Sequence, residues 1–210
     1  MKQLEIPYLD LGLEAEILAV SSLLASEKSH YIDKAPWPEY PYKPRVSFTI
    51  AYGVDCLFLK YHVLEKEAMA TCYTINDPVY KDSCVEFFIA FDDNGYYNLE
   101  VNCIGTCLLG YGAKKDDREL LHASTVSKIR SKLTFFHATP NGVLWELFLV
   151  IPFEVFTKHN ISSLKGRQCA VNFYKCGDDL PEPHFISWNF IGSDTPNFHL
   201  PVYFGKATFI

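Results

Sequence analysis

The segment DSCVEFFIAFDDNGYYNLEVNC, residues 82–103, decides the fold of this chain. Apolar residues alternate through 85–91 and again through 97–103, and the pair Asn94-Gly95 separates the two runs. Successive side chains of a strand point to opposite faces, and Asn-Gly favours a tight turn, so the segment predicts a β-hairpin. The face that runs from Val85 to Cys103 is uniformly apolar and is predicted to be core. The opposite face carries Glu86, Phe88, Tyr96, Asn98, Glu100 and Asn102.

Strand-like runs continue on both sides of this hairpin. They lie at 47–51, 56–63, 132–138, 143–151, 169–175, 184–190 and 206–210, with a second hairpin turn at 139–142. Helical spacing is clear only over 13–25, and the polar segment 113–125 could hold another short helix. Many short strands without helical crossovers predict an all-β protein, an antiparallel β-sandwich with one or two short peripheral helices.

The N-terminal region is expected to pack on this sandwich. Residues 35–44, APWPEYPYKP, contain four prolines and three aromatic residues, a composition that excludes a helix or a central strand. We interpret 1–45 as the helix plus this extended arm, and 1–210 as a single domain, since no flexible linker or internal repeat interrupts the sequence.

Composition excludes several classes of protein. Of the 210 residues, 49% are hydrophobic and 21% are charged, which is ordinary for a globular protein and excludes wholesale disorder. The net charge of −6 and the lack of a basic cluster argue against nucleic acid as a partner. No apolar run approaches the roughly 20 residues that a membrane span requires.

The cysteines point to a reducing compartment. There are seven, an odd number, and most lie in apolar strand-like runs. We therefore expect reduced core thiols and no structural disulfide. No secretory leader pattern is visible at the N-terminus. Both observations favour the cytoplasm.

The polar face of the first hairpin is the leading candidate for a site. It mixes carboxylates, amides and aromatic rings, which together suit a sugar: polar groups bind hydroxyls, and rings stack on the C–H face of a pyranose. Glu146, Asn172 and Tyr174 would extend this surface if their strands join it. The alternative is the ordinary solvated face of an antiparallel sheet.

Two further chemistries are open at the same hairpin. Glu86 and Glu100 on adjacent strands could act as the acid and base of a glycoside hydrolase. Asp92 and Asp93 are weak calcium candidates, although the run Asp-Asp-Asn-Gly is also explained by the hairpin turn. No cofactor is expected.

Two motifs carry a family resemblance: D-S-x-V-E-x-F at 82–88 and P-x-x-F-G at 201–205. They resemble the family 9 carbohydrate-binding modules of the DOMON-like group, in particular the free-standing family 9-like proteins common in Bacteroides. The resemblance covers most of the chain. It implies a jelly-roll-like sandwich that binds the ends of polysaccharides or oligosaccharides, without catalysis, in a role connected with carbohydrate catabolism.

The resemblance also implies site residues. Family 9 modules hold a terminal sugar between two aromatic rings, and the corresponding positions here are Tyr80, six residues before Glu86, and Phe198, seven before Gly205. Studied members have Trp at both positions, so this platform is smaller. The arginine contact of the family has no evident counterpart; Asn98, Glu100 and Arg167 are the candidate replacements. Trp37 and Trp188 are additional candidate ligand contacts, and Trp145 is predicted to be core.

A haem-binding DOMON domain is the remaining alternative. It would require an axial Met/His pair, and the sequence offers only Met1 and Met69 as methionines. The resemblance to family 9 implies a glycan as the partner. The sequence leaves the sugar, the linkage and the oligomeric state open.

Overall fold

Thirteen strands form two sheets in the computed structural model, which describes all residues 1–210. In chain order the strands are β1 (Gln3–Ile6), β2 (His30–Ile32), β3 (Arg45–Tyr52), β4 (Cys56–Glu65), β5 (Cys84–Asp92), β6 (Gly95–Asn102), β7 (Cys107–Gly112), β8 (Glu119–Leu120), β9 (Arg130–Thr139), β10 (Gly142–Pro152), β11 (Gln168–Cys176), β12 (Phe185–Ser187) and β13 (Gly205–Phe209). The α-helices are α1 (Ile17–Leu24) and α2 (Ala123–Val126), and single 3₁₀ turns span Val79–Lys81, Lys115–Asp117, Phe153–Val155 and Pro201–Tyr203.

The two sheets form the predicted sandwich. The larger sheet has the order β1-β13-β11-β5-β6-β7-β8, with β12 paired to β11, and the smaller sheet has the order β2-β3-β4-β10-β9. Both predicted hairpins are present, as β5–β6 and β9–β10. All strand pairs are antiparallel except β1 with β13, which run parallel at one edge. No helix is both long enough and apolar enough to cross a membrane.

The main core lies between the sheets. It contains 38 buried residues, including the apolar face predicted for the first hairpin, from Val85 to Cys103. Phe48 of the smaller sheet stacks on Phe173 of the larger one, with ring centroids 3.7 Å apart. Trp145 is fully buried there, as predicted.

Trp188 also belongs to the main core, which corrects its prediction as a ligand contact. It is 2% exposed and packs edge-on against Phe48 and Phe173, at 6.3 and 5.8 Å. The sequence pattern over 184–190 does not determine to which face of the sheet this ring points. Its burial makes Trp188 a core residue.

A second core covers the outer face of the larger sheet, so this face is not solvated. Its 13 residues include Phe88 and Tyr174 from the strands. Trp37 from the proline-rich arm and Phe198 from the segment before β13 pack onto them. Both segments therefore cross the outer face and enclose the polar side chains that it carries.

The N-terminal region contains more structure than expected. Helix α1 begins at Ile17, where the Glu16 carboxylate accepts a hydrogen bond from the amide of Leu18 at 2.7 Å. The helix packs on the outer face of the smaller sheet, against Phe58 and Phe148. Strands β1 and β2 were not predicted, because both are short and β1 pairs with a strand at the other end of the chain.

Candidate functional site

A cavity of about 170 Å³ opens on the outer face of the larger sheet. Strands β5, β6 and β11 form its floor, and the loops that carry the second core form its walls. The lining residues are Tyr80, Glu86, Glu100, Lys115, Arg118, Cys176, Asp178, Phe185, Pro196, Asn197, Phe198 and His199. Three carboxyl groups, two cationic side chains and three aromatic rings thus meet in one small pocket.

The two glutamates face each other across the hairpin. Glu86 and Glu100 are paired in the β5–β6 register, and both are buried. Oε1 of Glu86 accepts a hydrogen bond from the Cys176 thiol at 3.1 Å. Oε1 of Glu100 accepts from the Asn98 amide at 2.9 Å and from Arg118 at 3.4 Å.

The other oxygen of each glutamate has no hydrogen-bond partner in the protein. These atoms are Oε2 of Glu86 and Oε2 of Glu100, and both are buried. Buried polar atoms without a partner are rare, because each costs about 1–3 kcal/mol. A ligand that carries hydroxyl groups would give both atoms partners.

Burial also changes the ionisation of these groups. It raises the pKa of Glu86 well above the ordinary value, and the neighbouring Glu100 raises it further. Burial raises the pKa of Glu100 to about 7, although the Arg118 charge opposes the shift. Like charges this close cannot both ionise cheaply, so the pair holds a proton near neutral pH. A protonated carboxyl group donates a hydrogen bond and a carboxylate accepts one, so the pair can both donate a hydrogen bond to a ligand hydroxyl and accept one from it.

Tyr80 supplies the exposed aromatic surface of the pocket. It lies on the 3₁₀ turn Val79–Lys81, and its side chain is 37% exposed. The turn is fixed to the loop after β11, because the amides of Asp178 and Asp179 donate to the carbonyls of Tyr80 and Lys81, each at 3.1 Å. The ring is therefore held at the pocket on a well-anchored turn.

Phe198 contributes a wall rather than a free platform. Its ring stacks on Tyr174, with centroids 4.2 Å apart and planes 10° apart, and it is only 7% exposed. Phe185, which the sequence reasoning did not select, also lines the pocket and lies edge-on to Phe198 at 6.2 Å. The aromatic surfaces of the pocket are thus Tyr80 and the packed pair Phe185 and Phe198.

Arg118 and His199 are pocket residues that the sequence reasoning missed. Arg118 lies in the polar segment 113–125, and only folding brings it to Glu100. Nδ1 of His199 lies 3.0 Å from the hydroxyl of Tyr96. Burial lowers the pKa of His199 to about 3, and the charges of Arg118 and Lys115 act in the same direction. His199 is therefore neutral near neutral pH.

Comparison with known proteins identifies the family. The model of carbohydrate-binding family 9 matches residues 19–209. The chain belongs to this family. No curated protein gives a match.

Solved structures agree with the family 9 assignment. A protein from Bacteroides uniformis ATCC 8492, provisionally assigned as carbohydrate-binding, is 36% identical over 100% of this chain and 99% of its own, with a TM-score of 0.91. A family 9 module from Caldicellulosiruptor kristjanssonii in complex with glucose shares the fold, at 13% identity over 100% of this chain and 96% of its own, with a TM-score of 0.64. The cellotriose complex of a family 9 module from that organism gives 14% identity, 99% and 93% coverage and a TM-score of 0.62.

Two candidate ligand contacts, Trp37 and Asn98, pack against residues that line the pocket. Trp37 is 2% exposed, lies 5.9 Å from the Phe198 ring and donates its indole N–H to the Ser193 carbonyl. Asn98 is fully buried and hydrogen-bonds Glu100. Neither lines the cavity, so both position residues that do.

Arg167 does not replace the arginine contact of family 9. Its guanidinium lies over the Phe91 ring, 5.0 Å from the centroid, and does not line the pocket. Arg118 is the arginine that the fold places beside the glutamates.

Two residues of the predicted polar surface are not available to a ligand in the pocket. Glu146 belongs to the smaller sheet, where it pairs with Lys60 at 2.8 Å and His62 at 2.9 Å. Asn172 is on the larger sheet, but its side-chain oxygen accepts from the Asn189 amide at 2.9 Å and is not free for a ligand. Strand β11 therefore joins the face beside β5 and brings Asn172 and Tyr174 to it, whereas Glu146 does not extend this surface.

The calcium candidates lie in the first hairpin turn. The carboxylate of Asp92 accepts from the backbone and side-chain amides of Asn94 at 2.9 and 3.0 Å, and it lies 3.2 Å from His159. Asp93 is exposed at the tip of the turn. These contacts give Asp92 a structural role in the turn.

Proposed function

We propose that this protein binds the terminal sugar of a glycan in the pocket and does not cleave it. Tyr80 would stack on the sugar ring, and Glu86 and Glu100 would hydrogen-bond its hydroxyl groups. The observation that carries the proposal is the pair of buried, unpartnered Oε2 atoms beside an exposed aromatic ring.

The size of the pocket favours a single sugar ring. Its volume of about 170 Å³ is below the ~300–1,000 Å³ that is typical of pockets for drug-sized ligands. The glucose and cellotriose complexes of the family 9 modules with this fold support a hexopyranose end as the ligand. The aromatic walls and hydroxyl-binding carboxyls suit that chemistry.

The same geometry argues against a glycoside hydrolase. A hydrolase must hold the sugars on both sides of the scissile bond, and this cavity has room for about one ring. Among the acidic groups of the pocket, Glu100 has the pKa nearest to neutrality, and one of its oxygens already accepts hydrogen bonds from Asn98 and Arg118. A haem site has no support either, because neither methionine lines the pocket.

Binding is tested by screening the purified protein on a glycan array, followed by calorimetry with a glycan that binds. Tyr80→Ala and Glu86→Ala should each weaken binding at least about tenfold. A stacked ring contributes about 1 kcal/mol beyond its area, and a buried polar group left without its hydrogen-bond partner costs about 1–3 kcal/mol. Tyr31→Ala and Glu14→Ala, which change exposed residues that do not line the pocket, are the matched controls.

Two outcomes would contradict the proposal. One is unchanged affinity in both pocket variants while their melting temperatures stay near that of the wild type. The other is the release of reducing sugar by the wild-type protein and its loss in the Glu86→Ala variant, which would favour the hydrolase.

A further inference from the structure

Two cysteines and a glutamate meet at the floor of the pocket. Cys84 and Cys176 are directly opposite in the β5–β11 register. Their sulfur atoms and a carboxylate oxygen of Glu86 all lie within 4.8 Å of one another. All three residues are buried.

The cluster is open on one side only. Cys176 and Glu86 line the pocket, whereas Cys84 lies beneath it, within the second core. The Cys176 thiol already lies 3.1 Å from Oε1 of Glu86, and Oε2 of Glu86 has no partner. Two soft sulfur donors and a carboxylate oxygen therefore lie close together at the floor of the cavity.

We propose that Cys84, Cys176 and Glu86 bind a thiophilic divalent cation, of which Zn²⁺ is the representative. Two sulfurs and one oxygen supply three of the four ligands that Zn²⁺ takes in tetrahedral geometry. Thiolates favour such metals over Ca²⁺ and Mg²⁺, which prefer oxygen ligands only. The fourth position would face the pocket, where water can fill it.

Metal binding here is a ligand exchange without oxidation or reduction. Each thiol loses its proton to solvent as a sulfur–metal bond forms, and Glu86 loses its proton when it is protonated. The dipositive ion then offsets two of the three negative charges.

The position of the cluster gives the metal a role at the glycan site. Glu86 is shared, so a bound cation would withdraw it from a sugar hydroxyl, and zinc should weaken glycan binding. This antagonism rests on the proposed glycan function, whereas the metal site itself does not.

The metal site is tested on the full-length, reduced protein after treatment with a chelator. Zn²⁺ is titrated in competition with a chromophoric chelator, and Cd²⁺ is followed through the ultraviolet charge-transfer band of thiolate-bound cadmium. We expect one ion per chain. Cys84→Ser and Cys176→Ser should each weaken Zn²⁺ binding more than about tenfold. Loss of a residue that only hydrogen-bonds a metal ligand typically costs about 10–100-fold in affinity, and loss of a ligand itself should cost more than the lower end of that range.

The matched control is Cys169→Ser, which changes another cysteine on β11, far from the cluster, and should bind the metal as the wild type does. Glu86→Gln keeps both thiols, so it should retain the cadmium band but bind Cd²⁺ with lower affinity. If the cysteine variants do not fold, this variant tests the metal site in their place. Failure of the wild type to bind one ion, or equal affinity in the cysteine and control variants, would overturn the site.

The antagonism is tested separately by glycan calorimetry with and without Zn²⁺. Cys84 does not line the pocket, so Cys84→Ser should bind glycan like the wild type without metal and should no longer respond to zinc. Equal glycan affinity of the wild type with and without zinc would refute the antagonism. If no glycan binds at all, the proposed function fails, and the metal titration still decides the metal site.

Discussion

Replacement of Glu100 by Gln should make the stability of the protein less dependent on pH. Burial raises the pKa of Glu100 to about 7 in the folded protein, against an ordinary value of 4.5. Between these values the unfolded chain releases the proton while the folded protein keeps it, so this residue lowers stability as the pH rises. Gln is similar in shape and has no such proton.

The expected magnitude follows from the same two values. Integration of the difference in bound protons from pH 5 to pH 8 gives a loss on the order of 2 kcal/mol for the wild-type residue. Glu100→Gln should therefore gain about that much stability relative to the wild type between pH 5 and pH 8. Comparing the two proteins also cancels the opposite pH dependence of buried histidines such as His184, whose pKa is lowered to about 3.

The assay is urea denaturation of both proteins at the two pH values, with the free energies extrapolated to water. Glu14→Gln, at an exposed site, is the control for loss of a charge. A difference between Glu100→Gln and the wild type that stays constant within about 0.5 kcal/mol from pH 5 to pH 8 would refute the reasoning.

Three further predictions follow from the structure. Lys175→Met should cost about 3–5 kcal/mol in urea denaturation, because Lys175 Nζ lies 2.7 Å from the carboxylate of Glu65 and both are fully buried. Gly110→Ala should weaken glycan binding in calorimetry with little loss of melting temperature, because the added Cβ would lie 2.7 Å from Oδ1 of Asn98, which positions Glu100; unchanged affinity would show that Asn98 has no such role. Thiol titration in denaturant without reductant should recover nearly all seven cysteines, and recovery of three or fewer would contradict the expectation of free thiols.

The periodicity of the sequence was enough to predict the architecture. Alternation over 82–103 and the Asn-Gly turn specify a hairpin whose faces are distinct, and this depends only on local backbone geometry. The same holds for the second hairpin and for the helix, whose apolar spacing marks the face that it buries. The alternation also selected Glu86, and the family resemblance added Tyr80 and Phe198; all three line the pocket.

Only the tertiary structure decided what covers each face and which distant residues meet there. Period-two alternation separates the two faces of a strand, but it does not say to which sheet the strand belongs. For that reason Glu146 could not be placed on the smaller sheet, and the burial of the rings of Trp37 and Trp188 could not be foreseen. Arg118 reaches Glu100, and Cys84 faces Cys176, through strand pairing and loop packing between separated segments. The pocket is assembled by such long-range contacts, and a local pattern in the sequence does not encode them.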